Sequence, residues 1–218
     1  NGFLVAYAKI QPMVATLILM IAGRGIAQLI TNGVRIQIFY EPYAFIGSGW
    51  LILPFSLYIV AAVYLIAWFL TRKTAIGLFI ESVGINARSS FFSGIDEKKI
   101  KLLAYTFCGF CAGVAGLVTS SNIRTSDANN IGLNYELDAI LAVVIGGTLM
   151  SGGRFSLLAS LIGALVIQAT TTSMYALGVP ANAVLAIKGL VVIFVILLYS
   201  EQVRGIIRRL TAHKGSLS

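Results

Sequence analysis

Residues 50–70 read WLILPFSLYIVAAVYLIAWFL, 21 positions without a charge. As a helix rising 1.5 Å per residue this run covers about 32 Å, enough to cross a hydrocarbon core of roughly 30 Å. The pattern then breaks sharply. Residues 71–101, TRKTAIGLFIESVGINARSSFFSGIDEKKIK, carry Arg72, Lys73, Arg88, Lys98, Lys99 and Lys101 against Glu81, Asp96 and Glu97. A greasy run followed by a basic loop is the alternation of a membrane protein, and the loop marks the cytoplasmic side.

The same alternation extends in both directions. Residues 102–121 are 20 positions without a charge, and 155–187 are 33, room for one span, a turn and part of another. The chain of 218 residues is 58% hydrophobic and 11% charged, with a mean hydropathy of +0.90, too little charge to cover a soluble domain. The fold class expected is an all-α polytopic transmembrane bundle, one membrane domain over 1–218. Residue 1 is Asn, and NGFLVAYA reads as the end of an apolar span, so further spans are expected before it.

The net charge of +8 raises nucleic acid as a partner, but its distribution excludes that reading. Ten of the sixteen Lys and Arg residues lie in 71–101 and in the tail 203–218, as Arg204, Arg208, Arg209 and Lys214. Clusters bordering apolar runs are cytoplasmic loops, whereas a nucleic-acid face needs a contiguous basic surface with exposed aromatics. Both segments are therefore placed inside. Cys108 and Cys111 are spaced C-x-x-C within an apolar run, and the single His is His213 in the tail, so packing explains them better than a metal or redox site.

Threading spans between the inner loops gives 13–31 outward, 32–49 as an outer loop, 50–70 inward, 102–121 outward and 122–135 as a second outer loop. From outside at Tyr135 to inside at Arg204 an odd number of crossings is needed. Residues 155–176 and 183–200 supply two. The third is 136–150, whose fifteen residues reach only about 22 Å. It is expected to be a short, broken or half-inserted span, bracketed by Gly146-Gly147 and Gly152-Gly153, and such interrupted spans point to a transport pathway.

Within 71–101, Asn86 is placed to cap a helix of about two turns over ARSSFFS, Gly94 to end it in a left-handed conformation, and Asp96 to cap the next helix. Phe91 and Phe92 lose roughly 1.5–3 kcal/mol each if left wet. A groove on a partner would cover them, and so would their own bundle or lipid headgroups. Arg24, inside the run MVATLILMIAGRGIAQLIT, either faces a cavity or partner or snorkels to the outer headgroups. Gly109, Gly113 and Gly116 have the spacing of helix packing. Glu136 and Asp138 cap the short span, face an aqueous vestibule or pair with Arg124. With Arg24, Arg124, Asp127, Gly146 and Gly147 they are the candidate lining of an outer vestibule and pathway. No nucleotide-binding, zinc-protease or serine-hydrolase motif is present, so ATP, if it drives this chain, is hydrolysed elsewhere.

Several stretches resemble the permeases of the ribose-type ABC sugar importers. They are VGINARSSFFSGI, ELDAILAVVIGGTLMSGGRFSLLASLIGALVI and KIQPMVATLILMIAGRGIAQLI, and IRTSDANNIGLNYELDAILAVVIGG is most similar to the galactofuranose-importing branch. The resemblance implies a bacterial inner-membrane permease, paired with a second permease subunit and served by cytoplasmic ATP-binding subunits and a periplasmic sugar-binding protein. It implies no cofactor in this chain, ATP and magnesium belonging to the partners, and no catalytic residue. It implies that Gly84, Asn86, Ser89, Ser90, Phe91, Ser93, Gly94 and Ile95 form the segment coupled to the ATP-binding subunit. Ser89 and Ser90 stand where that family usually has alanines, and Phe91 where it commonly has a polar or basic residue. A stand-alone channel or secondary transporter, and more remotely a membrane enzyme, are the alternatives.

Overall fold

Pro54 sets the start of the span quoted above. It cannot donate a helical hydrogen bond and it pushes its predecessor out of helical geometry. In a computed structural model describing residues 1–148, 152–180, 183, 184 and 186–191, the helix therefore begins at Phe55, not Trp50, and runs on through Arg72. Residues 50–54 instead form a tight turn in which Trp50 bridges Pro54 and Phe55 N–H reaches Gly49 O (2.8 Å).

The described residues fall into two compact units, Asn1–Leu133 and Asn134–Ser218. In the first, α1 (Gly2–Ala6) and α2 (Pro12–Thr31) are followed by β1 (Ile36–Gln37), α3 (Glu41–Ser48), α4 (Phe55–Arg72), α5 (Ala75–Ile85), α6 (Ala87–Phe92), α7 (Glu97–Asn122) and β2 (Thr125–Ser126). The second contains α8 (Tyr135–Ile145) and α9 (Leu157–Ala176). Four of these, α2, α4, α7 and α9, are long and apolar enough to cross a membrane. The all-α membrane architecture expected from composition is thus what the chain forms.

Three expectations need correction. The segment 32–49 is not a plain loop: it contains β1, which pairs antiparallel with β2 (Ile36 opposite Ser126, Gln37 opposite Thr125), and the helix α3. The island 71–101 holds a second helix besides α6, since Thr74 caps α5 by accepting from Ile76 N–H (3.3 Å). The island's boundary at 101 moves back: the helix that Asp96 is expected to cap starts at Glu97 and takes 97–101 into α7, with Asp96 accepting from Lys98 and Lys99 N–H (3.1 and 3.4 Å). The span 183–200 lies largely, and the tail 203–218 wholly, outside the described residues.

In the first unit α7 is the organising helix, with α1, α3, α5 and α6 packed along it. Close approach is made by glycines. A Cβ on Gly47 would meet the backbone of Asn122 and Ser121, and one on Gly2 would press on Leu102 and Tyr105 (3.0 Å). Ser121, fully buried, locks α3 in place: its Oγ accepts from Gly47 N–H (2.8 Å) and donates to Tyr43 O. Gly109, Gly113 and Gly116 have open space where a Cβ would be, so within this unit they pack nothing, contrary to their spacing. In the second unit a Cβ on Gly163 of α9 would run into the Ala142 carbonyl, and one on Gly146 would come within 2.8 Å of the backbone of Ala159 and Ser160. Residue numbers rise along one helix as they fall along the other, so α8 and α9 form an antiparallel pair over a small core of Leu141, Ala142 and Ile167.

Candidate functional site: a capped helix and a polar cavity

The segment 86–95 is closed at both ends by its own side chains and backbone. Asn86 Oδ1 accepts from Arg88 and Ser89 N–H (3.0 and 3.1 Å), satisfying two free donors of the first turn of α6. At the other end Gly94 adopts φ +81°, open to glycine and costly for other residues. Its N–H donates to Phe91 O and that of Ile95 to Ser90 O (both 3.0 Å), the paired bonds of a Schellman ending. Ser90 is buried and donates to Asn86 O (3.0 Å), and Ser93 Oγ donates to Ser89 O (3.2 Å). Gly84 sits in the last turn of α5, and Ile95 leads directly into the Asp96 cap of α7. Desolvation tends to raise the Asp96 carboxyl, but the Lys99 and Lys98 N–H groups and the Lys99 ammonium bring it below the usual carboxylate value.

Phe91 and Phe92 do not fold back onto the unit. They are 66% and 84% exposed and meet each other edge-on at 6.2 Å between centroids. α6 is thus a rigidly capped platform carrying two bare aromatic rings, joined to α7 by residues 93–96.

At the opposite end of α7 the arrangement is polar. α2 stands off from α7, leaving a cavity of about 410 Å³ lined by Arg24, Thr31, Ser120, Ser126 and Asp127 among others. That volume lies within the roughly 300–1,000 Å³ typical of small-molecule sites. Arg24 has no ion-pair partner among the described residues. Asp127 is only 7% exposed, and its oxygens are taken up. Oδ1 accepts from Asn129 and Asn130 N–H (2.9 and 3.3 Å), and Oδ2 from Asn130 Nδ2 (2.7 Å) and Arg35 Nε (3.2 Å). The Asn130 side chain first, then Asn129 N–H, hold its carboxyl below the usual value against the opposing pull of desolvation. Asn129 extends this network to α2, accepting from Gln28 Nε2 (2.7 Å) and donating to Gly33 O (3.1 Å).

Arg24 and Asp127 therefore line one cavity, while Arg124 is turned to Glu41 at 3.9 Å, both largely exposed, a contact of little energetic weight. Arg35, Gln28 and Asn129, which pattern reading did not single out, are not among the cavity's lining residues but brace it: Arg35 bonds Asp127, and Gln28 and Asn129 bond each other. Only their tertiary partners mark them.

In the second unit α8 spans eleven residues, about 16 Å of helix, and ends at Gly146 and Gly147 (φ +78°). The short, glycine-interrupted element is present as expected. Glu136 and Asp138 both lie in its first turn. Asp138 pairs with Lys188, Nζ to Oδ2 at 2.7 Å.

Apolar helices of spanning length, with a capped helix bearing exposed aromatic rings and a polar cavity, place the chain among polytopic membrane proteins. The chain belongs to the family described as branched-chain amino acid transport system / permease component, whose model matches residues 1–196. It is similar to the galactofuranose transporter permease protein YtfT of Escherichia coli K12, 49% identical over 210 residues, 95% of this chain and 61% of that one. The fructose import permease protein FruF of Bifidobacterium longum is 38% identical over 94% of this chain and 59% of its own. The ribose import permease protein RbsC of E. coli K12 is 32% identical over 93% and 64%. The chain spans about three fifths of the length of these relatives. No solved structure matches. Apolar helices and family together make it an inner-membrane protein.

Proposed function

We propose that this chain is the membrane-spanning part of an ATP-driven importer that carries a monosaccharide, galactofuranose first among the candidates, to the cytoplasm by alternating access. The observation that carries the reading is the continuity of α6, α7 and the cavity. α6 presents two exposed phenylalanines, a short capped link joins it to α7, and α7 runs about 35 Å before Ser120 reaches the cavity at its far end. A movement imposed on α6 would then be delivered to the cavity wall.

On this reading separate ATP-binding subunits grip α6 on the cytoplasmic face, through Ser89, Phe91 and Phe92 on a scaffold held by Asn86 and Gly94. A periplasmic binding protein delivers sugar at the Arg24–Asp127 end, and a second permease subunit completes the pathway. The C-terminal tail is cytoplasmic, in keeping with its four cations. ATP and magnesium are held by the partner subunits. Coupling requires α6 to contact its partner differently in the inward and outward states, because only a differential contact shifts the equilibrium.

The test is reconstitution of the full-length protein in vesicles with its ATP-binding subunits and binding protein, scored for ATP-dependent uptake across pentoses and furanose hexoses. Uptake that needs ATP and all components is the expected outcome. Uptake by the permease alone would instead mark a channel or secondary transporter.

A further inference from the structure

Between 155 and 200 the chain carries a single charge, Lys188. An ammonium in so apolar a stretch persists only with a partner, and the structure supplies one 50 residues away in Asp138 of α8. The contact is short (2.7 Å) and the two side chains are 21% and 30% exposed, too enclosed for a surface ion pair. The partners are not equally supported. Asp138 lies in the first turn of α8, where the helix N-terminus also favours a negative charge. Lys188 has no second anion among the described residues, and Glu136, the other carboxylate of that turn, is exposed. Beside Lys188 lies a cavity of about 50 Å³ bordered by Thr170 and Thr171, enough for a water molecule. Both threonine hydroxyls already donate to backbone carbonyls at 2.8 Å, so lone pairs remain to accept from water or ammonium.

We infer that Lys188 is a positioning residue for transport: paired with Asp138, it clasps the segment around 186–191 to the glycine-broken helix α8 so that the two move as one. The mutual attraction is what matters, not either charge alone. This rests on the transport reading above, but the contact itself can be tested without it.

The experiment uses the full complex in vesicles with Asp138→Asn, Lys188→Met, the double neutral variant, and the exchange Asp138→Lys with Lys188→Asp. Assembled complex, ATP hydrolysis and sugar taken up per ATP are measured for each. Each single variant is expected to lower uptake by roughly tenfold or more, since it leaves one charge uncompensated. Asp138→Asn is expected to be the worse, because Lys188 then has nothing. The double neutral variant should assemble yet take up less sugar per ATP, and the exchange should recover uptake. Full uptake in either single variant, or in the double neutral one, would overturn the clasp, as would an exchange no better than its parents. Proximity is read separately: Asp138→Cys with Lys188→Cys, in a chain with Cys108 and Cys111 replaced by Ser, should cross-link with a short bifunctional thiol reagent. Cross-linking without transport in the wild-type complex would sink the transport reading alone. No cross-link would sink the clasp alone.

Discussion

Replacing Gly94 isolates the coupling argument, because this position constrains the backbone and nothing else. Its φ is +81°, and a Cβ built there would meet nothing within 4 Å. Any effect is therefore conformational, not steric. An L-residue in the left-handed region costs roughly 1–2 kcal/mol, asparagine less and a β-branched residue more. That cost falls on a helix of six residues, far below the ~12–15 needed for independent stability. Relaxing the strain would sacrifice the two 3.0 Å bonds, Gly94 N–H to Phe91 O and Ile95 N–H to Ser90 O, that hold the rings in place. A penalty of 1–2 kcal/mol shifts the ratio of formed to unformed platform by roughly 5- to 30-fold. In the reconstituted complex, sugar taken up per ATP should then fall in the order Gly, Asn, Ala, Val at position 94. The amount of inserted protein should stay constant, since the spanning helices do not depend on this turn. Undiminished uptake per ATP in Gly94→Val would refute the reasoning. So would a Gly94→Asn variant as poor as Gly94→Val, since the loss would not then follow the left-handed backbone.

Two further substitutions probe the frame around the sites. Gly163→Val drives a side chain into the Ala142 backbone, which has no flexible end to yield, so the α8–α9 pair should lose about 3 kcal/mol or more. Gly109→Ala, with open space around it, should cost less than ~0.5 kcal/mol, and thermal aggregation in detergent separates the two. For Asp127 the sign follows from its lowered pKa: its stabilisation of the turn at 127–131 is present above the ordinary carboxyl value of 3.8 and fades as pH falls through the lower, folded value. Hydrogen exchange at Asn129 and Asn130 should therefore be slower in wild type than in Asp127→Ala at pH 5 to 7, and the difference should close only below about pH 4. A gap that closes by pH 5 would contradict the assigned hydrogen bonds.

What could be read from the sequence was what is encoded locally. The N-cap at Asn86, the left-handed Gly94 and the cap at Asp96 each depend on neighbours within four residues, and each stands where the spacing put it. The spans were visible because twenty apolar residues have few other fates, although Pro54 should have moved the start of α4. The charged flanks of 71–101 hid α5, since Lys73 and Glu81 give an apolar helix the look of a loop. Contacts distant in sequence left no trace. Arg35 finds Asp127 across 92 residues and Lys188 finds Asp138 across 50, and no pattern names either partner. The glycines erred in the instructive direction: the regular series 109, 113, 116 is open, while Gly47, Gly146 and Gly163, which follow no series, make the close approaches.

That inversion bears on how such a chain can move. In the most apolar windows of the four long helices only 0–17% of residues are buried within the chain, so lipid or other subunits, not a core, cover most of their surface. With lipid as apolar as leucine, packing between these helices gains little from the hydrophobic effect, and their positions depend on close backbone contacts and polar ties. Those ties are unevenly spread. α3 is locked to α7 through Ser121 and Gly47, and α8 is held to α9 through Gly163, yet α2 faces α7 across an open cavity with its main ties at the Gln28–Asn129 end. A displacement of α7 relative to α2 therefore breaks few contacts, whereas one relative to α3 would break a buried hydrogen-bonded lock. Under the transport function proposed above, the seam of this unit that parts at least cost is the one along the cavity that Arg24 and Asp127 line.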